Sequence, residues 1–128
     1  MAQVKASIKN NTYKTDLITE NISFIADEPA EKGGTNLGPN PKELLVGALA
    51  SCTAITVRMY ANRKEWPLQD VLVDITLDEE TTPGTAKFIK KIEFVGPELT
   101  EEMKTRLYTI ADKCPVNKIL NQPIAVVK

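Results

Sequence analysis

Apolar and polar residues alternate in three short segments near the start of the chain. VKASI begins at Val4, YKTDLI at Tyr13 and ISFIAD at Ile22. Alternation with a period of two is typical of strands that bury one face, and the Asn10-Asn11 pair between the first two segments favours a turn. The pattern predicts an amino-terminal β-meander of three strands.

A polar, glycine-rich loop separates this meander from the next apolar segment. The loop reads EPAEKGGTNLGPNP, and Gly33 and Gly38 have the spacing of the glycines in a phosphate-binding loop. That motif requires Lys and then Ser or Thr after its second glycine, whereas Pro39 and Asn40 follow here. A phosphate site is therefore not predicted.

A long central helix is predicted from Pro41 to about Lys64. Asn40 is a favourable N-cap residue, proline suits the first helical position, and the Glu43 carboxylate at the third position can reach back to the cap amide. Apolar residues recur at steps of three and four, and the opposite side of the helix is also largely apolar. We expect this helix to be covered on most sides, with Cys52 near its middle.

The second half of the chain predicts a β-hairpin, a second helix and a short closing strand. VLVDITL from Val71 and KFIKKIEFV from Lys87 both alternate, and the turn-rich EETTPGTA joins them. Thr100 is placed to cap a helix whose apolar stripe ends at Cys114, and Pro115 is expected to stop it. The final PIAVVK reads as a strand.

Composition and charge narrow the range of functions. A chain of 128 residues with 42% hydrophobic content predicts one α+β domain over residues 1–128. The 16 basic and 17 acidic residues nearly cancel and form no basic run, so nucleic acid is not an expected partner. We expect no membrane span and no signal peptide, and hence a cytoplasmic location.

The absence of histidine excludes several catalytic mechanisms. Ser-His-Asp and Cys-His nucleophile pairs and histidine proton shuttles all require an imidazole. Two isolated cysteines without CxxC spacing predict neither a metal site nor a cofactor. Cysteines of this kind are most often inert core residues, and a reactive one would need a cation or hydrogen bonds to stabilise its thiolate.

Both cysteines fall on the apolar stripes of the two predicted helices, where a shared core could bring the sulfurs together. We expect a cation beside Cys52, because the helix dipole gives a mid-helix thiolate little help and disfavours one at the carboxyl end, where Cys114 is predicted. With such a cation, Cys52 could attack a peroxide, and Cys114 could condense with the sulfenic acid to give a disulfide.

Two segments resemble the OsmC/Ohr family of osmotically inducible and organic hydroperoxide resistance proteins. GGTNLGPNPKELLVGALASCTAITVRMYANRKEW, residues 33–66, is similar to the glycine-rich loop and central helix of that family. ADKCPVNKIL, residues 111–120, is similar to its second cysteine motif, in which Cys-Pro precedes an apolar residue. The order of the predicted elements matches over essentially the whole chain.

The resemblance implies an OsmC-like α+β fold in an intertwined homodimer, with the long helices buried between sheets that both chains build. It also implies two active sites at the dimer interface. Peroxidases of the family reduce organic hydroperoxides with the central-helix cysteine as nucleophile and the Cys-Pro cysteine as resolving residue. An external dithiol such as a lipoylated protein restores the thiols. These roles transfer to Cys52 and Cys114 by motif match.

The chain departs from the family at the residues that activate the nucleophile. The peroxidases carry a glutamate directly after the Asn-Pro that opens the helix, and it pairs with an arginine from the amino-terminal part. Here Lys42 takes that position, Glu43 lies one residue later and about 100° around the helix, and no arginine precedes Arg58. Lys42, Lys32 or Lys14 could supply the cation instead.

Three hypotheses follow from these observations. The first is a thiol-dependent peroxidase for organic hydroperoxides. The second is a dimer that binds a small apolar ligand in the interfacial pocket, or acts on another electrophile, without peroxidase activity. The third is that both thiols are inert core residues.

Overall fold

The computed structural model describes residues 1–128, and the chain forms two compact units, Met1–Leu45 and Val46–Lys128. The fold is α+β, with two antiparallel sheets and three α-helices. The amino-terminal unit carries the three-stranded sheet and the glycine-rich loop. The carboxyl-terminal unit carries the hairpin, most of the long helix and both cysteines.

The predicted amino-terminal meander is confirmed. Its strands are β1 (Lys5–Ser7), β2 (Thr15–Ile18) and β3 (Ser23–Ala26), which lie side by side in the order β1-β2-β3. Lys5 pairs with Ile18, and Thr15 pairs with Ala26, so each strand is antiparallel to its neighbour.

A buried carboxylate organises the loop that follows β3. Asp27 is only 2% exposed, and it accepts hydrogen bonds from the amides of Glu28 (2.8 Å) and Leu37 (3.2 Å) and from both the amide and the hydroxyl of Thr35. The Thr35 hydroxyl is the largest influence, and with the amides it lowers the pKa of Asp27 against the opposing effect of burial. The carboxylate thus replaces the ladder hydrogen bonds that a sheet would have supplied to this segment.

Close backbone approach explains two glycines of the loop. A Cβ atom on Gly34 would lie 1.9 Å from the carbonyl oxygen of Glu28, and one on Gly38 would lie 2.2 Å from that of Ile25. Neither position can hold a larger residue without moving the backbone. Gly34 and Gly38 therefore shape the connection into the long helix, and Gly38 is one of the two glycines with phosphate-loop spacing.

The long helix α1 (Pro41–Lys64) has the boundaries predicted from sequence. Its capping box is formed: the Glu43 amide donates to Oδ1 of Asn40 at 2.8 Å, and the Asn40 amide donates to Oε1 of Glu43 at 2.9 Å. Each cap residue therefore satisfies an amide that would otherwise lack a partner at the helix start.

The expectation that this helix is covered on most sides is not met within one chain. Its buried residues, which lie on one face, are Leu49, Thr53, Val57 and Ala61. Leu45, Ile55 and Met59 are exposed by 45%, 57% and 65%. A broad apolar surface is left uncovered.

Contrary to the expectation from sequence, α1 is long and apolar enough to cross a membrane by length and composition alone. It has 24 residues and an 18-residue window with a mean hydropathy of 1.5, criteria that core helices also meet. The run without a charged residue extends only from Leu44 to Val57, which is about 21 Å long against a hydrocarbon core of about 30 Å. A run of this length is more typical of a core helix.

The carboxyl-terminal unit begins with the predicted hairpin, formed by β4 (Asp70–Asp78) and β5 (Lys87–Val95). The strands pair from Asp70 with Val95 to Asp78 with Lys87. The second helix, α2 (Glu101–Ala111), is capped as predicted, because the Thr100 hydroxyl accepts from the Met103 amide at 3.1 Å. The core between α1, α2 and their connections comprises Val57, Ala61, Leu68, Leu99, Leu107 and Ala111.

The structure corrects the prediction for the end of the chain. Helix α2 ends at Ala111 rather than at Cys114, and a third helix, α3 (Pro115–Leu120), begins directly after the cysteine. No strand forms in PIAVVK, where Val126 and Val127 are 95% and 85% exposed. An extended segment becomes a strand only where a neighbouring strand takes its hydrogen bonds, and this segment has no such neighbour in the chain.

Candidate thiol site

Two free cysteines come together in the carboxyl-terminal unit. Cys52 lies in the middle of α1 and is partly buried, whereas Cys114 lies between α2 and α3 and is fully buried. The two thiols interact, because each one shifts the pKa of the other. The two thiols thus lie close enough to influence each other, and a shared catalytic site stays a prediction.

Cys114 is the N-cap residue of α3. Its Sγ accepts a hydrogen bond from the Asn117 amide at 3.3 Å, and Pro115 occupies the first helical position, where its missing N–H costs nothing. The sequence analysis expected Cys114 at the carboxyl end of a helix, where the dipole would disfavour a thiolate. Because α2 ends three residues earlier, the sulfur instead meets the amide donors of the next helix.

Burial and the neighbouring thiol raise the pKa of Cys52. The hydrogen bond with Cys114 adds to the effect of burial, while the Val116 amide and the Thr56 hydroxyl act in the opposite direction through weaker hydrogen bonds. Thr56 lies one turn after Cys52 on α1, so its hydroxyl reaches the same side of the helix. The net result is a raised pKa of Cys52.

Burial also acts to raise the pKa of Cys114, but hydrogen bonds outweigh it and the net pKa is lowered. The donors are the Cys52 thiol and the amides of Asn117 and Val116. The Thr53 hydroxyl donates to the Leu49 carbonyl oxygen at 2.8 Å. Hydrogen bonds to the charged form favour a thiolate in the same way as they favour a carboxylate. The structure therefore favours proton loss at Cys114 before Cys52.

The arginines do not supply the cation expected beside Cys52, and a lysine in that role stays a prediction. Arg58 donates to the Leu68 carbonyl oxygen at 2.9 Å and to the Asn62 side chain, and so ties the end of α1 to the following turn. Arg63 and Arg106 both lie at the Tyr60 ring. All three arginines of the chain therefore have partners away from the sulfurs.

The other predicted site residues belong to the amino-terminal unit. Glu43 is engaged in the capping box, and Lys32 is exposed at the end of a short 3-10 turn, Ala30–Lys32. Lys42 lies ten residues before Cys52 on the same helix, about 15 Å along its axis, with its side chain directed away toward the helix start. Roles for Lys42 and Lys32 at the thiol site stay predictions.

Sequence reasoning missed the donors that surround the two sulfurs. Thr53 and Thr56 read as ordinary helical residues, and the amides of Val116 and Asn117 carry no side-chain signal. One signal was present: proline favours the first position of a helix, so Cys114-Pro115 is typical of a helix start as well as of a helix end. Cysteine is not among the common N-cap residues, so the sequence indicates only weakly that a helix starts at Cys114.

The fold and the two neighbouring cysteines are those of a small α+β protein with free thiols. Comparison with known proteins identifies its family. A family model described as OsmC-like protein matches residues 33–127. The chain belongs to this family, which confirms the resemblance seen in the sequence. No curated protein matches the chain.

Solved structures support the same fold. An OsmC-like protein from Mycoplasma pneumoniae is 20% identical with a TM-score of 0.73, over 94% of this chain and 86% of that one. The organic hydroperoxide resistance protein OhrB of Bacillus subtilis is 20% identical with a TM-score of 0.63, over 94% and 90%. An organic hydroperoxide resistance protein OsmC from Legionella pneumophila is 21% identical with a TM-score of 0.64, over 94% and 89%.

Proposed function

We propose that this protein is a thiol-dependent peroxidase that reduces organic hydroperoxides, with Cys52 as the nucleophile and Cys114 as the resolving residue. The observation that carries the proposal is a pair of neighbouring free thiols that shift each other's pKa, with the Asn117 amide of α3 donating to the Cys114 sulfur at 3.3 Å. Similarity to proteins named for organic hydroperoxide resistance supports the substrate class.

Accessibility decides which thiol meets the substrate. Cys114 has no exposed surface, whereas Cys52 is partly exposed. A hydroperoxide can therefore reach Cys52 first. Leu45, Ile55 and Met59 lie on the same face of α1 as Cys52, since they are seven, three and seven residues away from it, and they offer an apolar surface to an alkyl or aryl group.

The order of ionisation gives Cys114 a role in the first step. Cys114 loses its proton first, and its thiolate accepts the hydrogen bond of the Cys52 S–H. The Cys52 proton passes to Cys114 as the Cys52 sulfur attacks the outer oxygen of the hydroperoxide and the O–O bond breaks. The departing alkoxide takes that proton from Cys114 and leaves as an alcohol. Cys52 is now a sulfenic acid, and Cys114 is again a thiolate.

The second step joins Cys52 and Cys114 in a disulfide. The Cys114 thiolate attacks the sulfur of the Cys52 sulfenic acid, a disulfide forms, and hydroxide leaves as water after taking up a proton. An external dithiol, such as a lipoyl group, then reduces the disulfide by thiol–disulfide exchange and becomes oxidised itself. No bound cofactor or metal is needed in this sequence.

A homodimer belongs to the same proposal. The exposed Ile55 and Met59 are large apolar residues near the middle of a long helix, and a second copy of the chain is the partner that would cover them. The thiol site would then lie at the dimer interface, as the family resemblance implies. A cytoplasmic location suits free thiols and stays a prediction.

Intact mass and peptide mapping test the proposal. Reduced protein is treated with one equivalent of cumene hydroperoxide, with hydrogen peroxide in parallel. We expect a rapid loss of about 2 Da that maps to a Cys52–Cys114 disulfide, faster with the organic peroxide. Cys52→Ser should abolish peroxide consumption. Cys114→Ser should slow the first turnover, because it removes the thiolate that takes up the Cys52 proton, but should still permit that turnover and trap a sulfenic acid. Ser51→Ala, at the exposed neighbour, should behave as the native protein.

One observation favours a second candidate function. The raised pKa of Cys52 and the lack of a nearby arginine suit an OsmC-like dimer that binds a small apolar ligand without turning over peroxide. Thiols that stay reduced for minutes in the mass experiment would contradict the peroxidase and favour this candidate. Equal loss of the first turnover in both cysteine variants would contradict the assigned order.

A further inference from the structure

A cleft unrelated to the thiol pair opens between the end of α1 and the exposed side of α2. Its volume is about 810 Å³, within the usual range for small-molecule sites. Tyr60, Trp66 and Met103 supply its apolar surface, and Lys64 and Arg106 its positive charge. Neither cysteine lines it, and Tyr60 lies eight residues beyond Cys52, about 12 Å along the helix.

Three cations lie at the Tyr60 ring, and two of them, Lys64 and Arg106, line the cleft. The guanidinium carbons of Arg63 and Arg106 lie 5.7 and 5.6 Å from the ring centroid, and Nζ of Lys64 lies 5.8 Å from it. None of the three forms an ion pair, and Glu102 is the sole carboxylate that lines the cleft. Positive charge is therefore in excess beside an apolar surface.

The hydrogen bonding leaves several donors unused. Nε of Arg106 donates to the Tyr60 hydroxyl at 3.0 Å, which leaves the terminal nitrogens of that guanidinium without a partner in the chain. The Tyr60 hydroxyl accepts this bond, so its own O–H remains able to donate. The hydrogen bond from Arg106, together with the charges of Arg106, Lys64 and Arg63, lowers the pKa of Tyr60 against the effect of burial. A more acidic hydroxyl is a stronger donor to an anion.

We propose that this cleft binds a small organic carboxylate, with the carboxylate held by Arg106, Lys64 and the Tyr60 hydroxyl and an aromatic or branched body packed against Trp66. Arginine suits a planar carboxylate because its N–H groups match both oxygens. The rings of Tyr60 and Trp66 meet edge to face at 5.5 Å and 71°, which gives the site a fixed apolar wall. The site is independent of the thiol chemistry.

Trp66 is the only tryptophan in the chain, so its fluorescence reports on this cleft alone. The experiment uses full-length Cys52→Ser protein, in which the proposed peroxidase reaction cannot occur, and follows fluorescence and heat during titration with benzoate and with benzamide. We expect benzoate to saturate with a Kd near or below roughly 1 mM, as suits a ligand of this size, and benzamide to bind at least about tenfold more weakly. Added salt should weaken benzoate binding.

Variants of the cleft test separately how the Arg106 charge and the Tyr60 hydroxyl contribute to benzoate affinity. Arg106→Met keeps an apolar stem but removes the cation, and should weaken benzoate binding about ten- to hundredfold, while Arg106→Lys should restore part of it. Tyr60→Phe keeps the ring and should weaken benzoate more than benzamide. Lys118→Met, at an exposed lysine on α3, is the matched control and should leave both titrations unchanged.

Three results would overturn the proposal. They are equal affinity for benzoate and benzamide, a benzoate titration that Arg106→Met leaves unchanged, and no heat or fluorescence change with benzoate up to concentrations well above the expected Kd. Circular dichroism of each variant confirms that a lost signal does not come from unfolding. Because the cysteine nucleophile is absent throughout, none of these results bears on the proposed peroxidase activity.

Discussion

The amide of Asn117 donates a hydrogen bond to the sulfur of Cys114 at 3.3 Å, at the first turn of α3. This contact changes the expected chemistry of the pair. A cysteine at the carboxyl end of a helix would resist ionisation, whereas this one starts a helix and accepts amide hydrogen bonds. The structure thus assigns the more acidic thiol to the buried Cys114 and the more accessible thiol to Cys52.

The two thiols should shift each other's pKa in opposite directions. Cys114→Ala removes a hydrogen-bond acceptor and a negative charge from beside Cys52, so the pKa of Cys52 should fall. Cys52→Ala removes a donor from beside Cys114, so the pKa of Cys114 should rise. Ultraviolet absorbance of the thiolate against pH measures both values. Shifts of the same sign in the two variants would contradict the hydrogen-bonded pair.

The side chain of Asn117 holds the turn that carries Cys114. Its amide nitrogen donates to the Asp112 carbonyl oxygen at 3.0 Å, and Lys90 forms a salt bridge with the Asp112 carboxylate at 3.0 Å. Asn117→Ala should lower the free energy of unfolding by about 0.5–1.5 kcal/mol, because it removes the side-chain hydrogen bond to the Asp112 carbonyl oxygen. It should also slow disulfide formation after peroxide treatment, since Cys114 loses its fixed position.

Urea denaturation measures the loss of stability in Asn117→Ala, and peptide mapping over time measures disulfide formation. Lys118→Ala is the matched control, because Lys118 is the next residue on α3 and is exposed; it should change stability by less than about 0.5 kcal/mol. Equal stability of the two variants would show that the Asn117 side chain does not hold the turn.

Most of the fold was predictable from the sequence, because local signals mark its elements. The capping box of Asn40 and Glu43 and the break before Pro67 fixed α1 to the residue, and alternation fixed the hairpin. The end of the chain was not predictable in the same way. Proline occurs both at the first position of a helix and just after the end of one. Cys114-Pro115 therefore also fits the end of the preceding helix, which is what the sequence predicts.

The candidate site was predictable in its residues but not in its electrostatics. Cys52 and Cys114 could be paired from two helical stripes and a family resemblance. The donors that tune them include the backbone amides of Val116 and Asn117, and the positions of these amides depend on where α3 begins. The buried Asp27 was also missed, because a lone aspartate at the end of a strand resembles a solvated turn residue.

Asp27 should make the fold sensitive to acid. Its pKa is lowered in the folded protein, so its contribution to stability is present above the unfolded pKa of about 3.9 and is lost as the pH falls through the lower folded value. Asp27→Asn should lower the Tm at pH 7, and the difference from the native protein should shrink as the pH falls below about 4. Thermal melts at several pH values measure this.

Glu31→Gln is the control for Asp27→Asn. Glu31 is an exposed carboxylate of the same loop, so removing its charge should leave the Tm difference from the native protein small at every pH. A constant Tm deficit of Asp27→Asn from pH 7 to pH 3 would contradict the charge-based role, and would point to the shape of the side chain instead.

The uncovered face of α1 predicts self-association. Ile55 and Met59 are 57% and 65% exposed in the single chain, and burying a side chain of this size is worth about 1.5–3 kcal/mol. Ile55→Glu would place a charge in the proposed interface, so the dimer should weaken by at least tenfold. Sedimentation velocity at micromolar concentration measures the effect, with Lys118→Glu, a charge change at an exposed residue outside α1, as the control. A native protein that sediments as a 14.1 kDa monomer would contradict the dimer, and with it an interfacial position for Cys52.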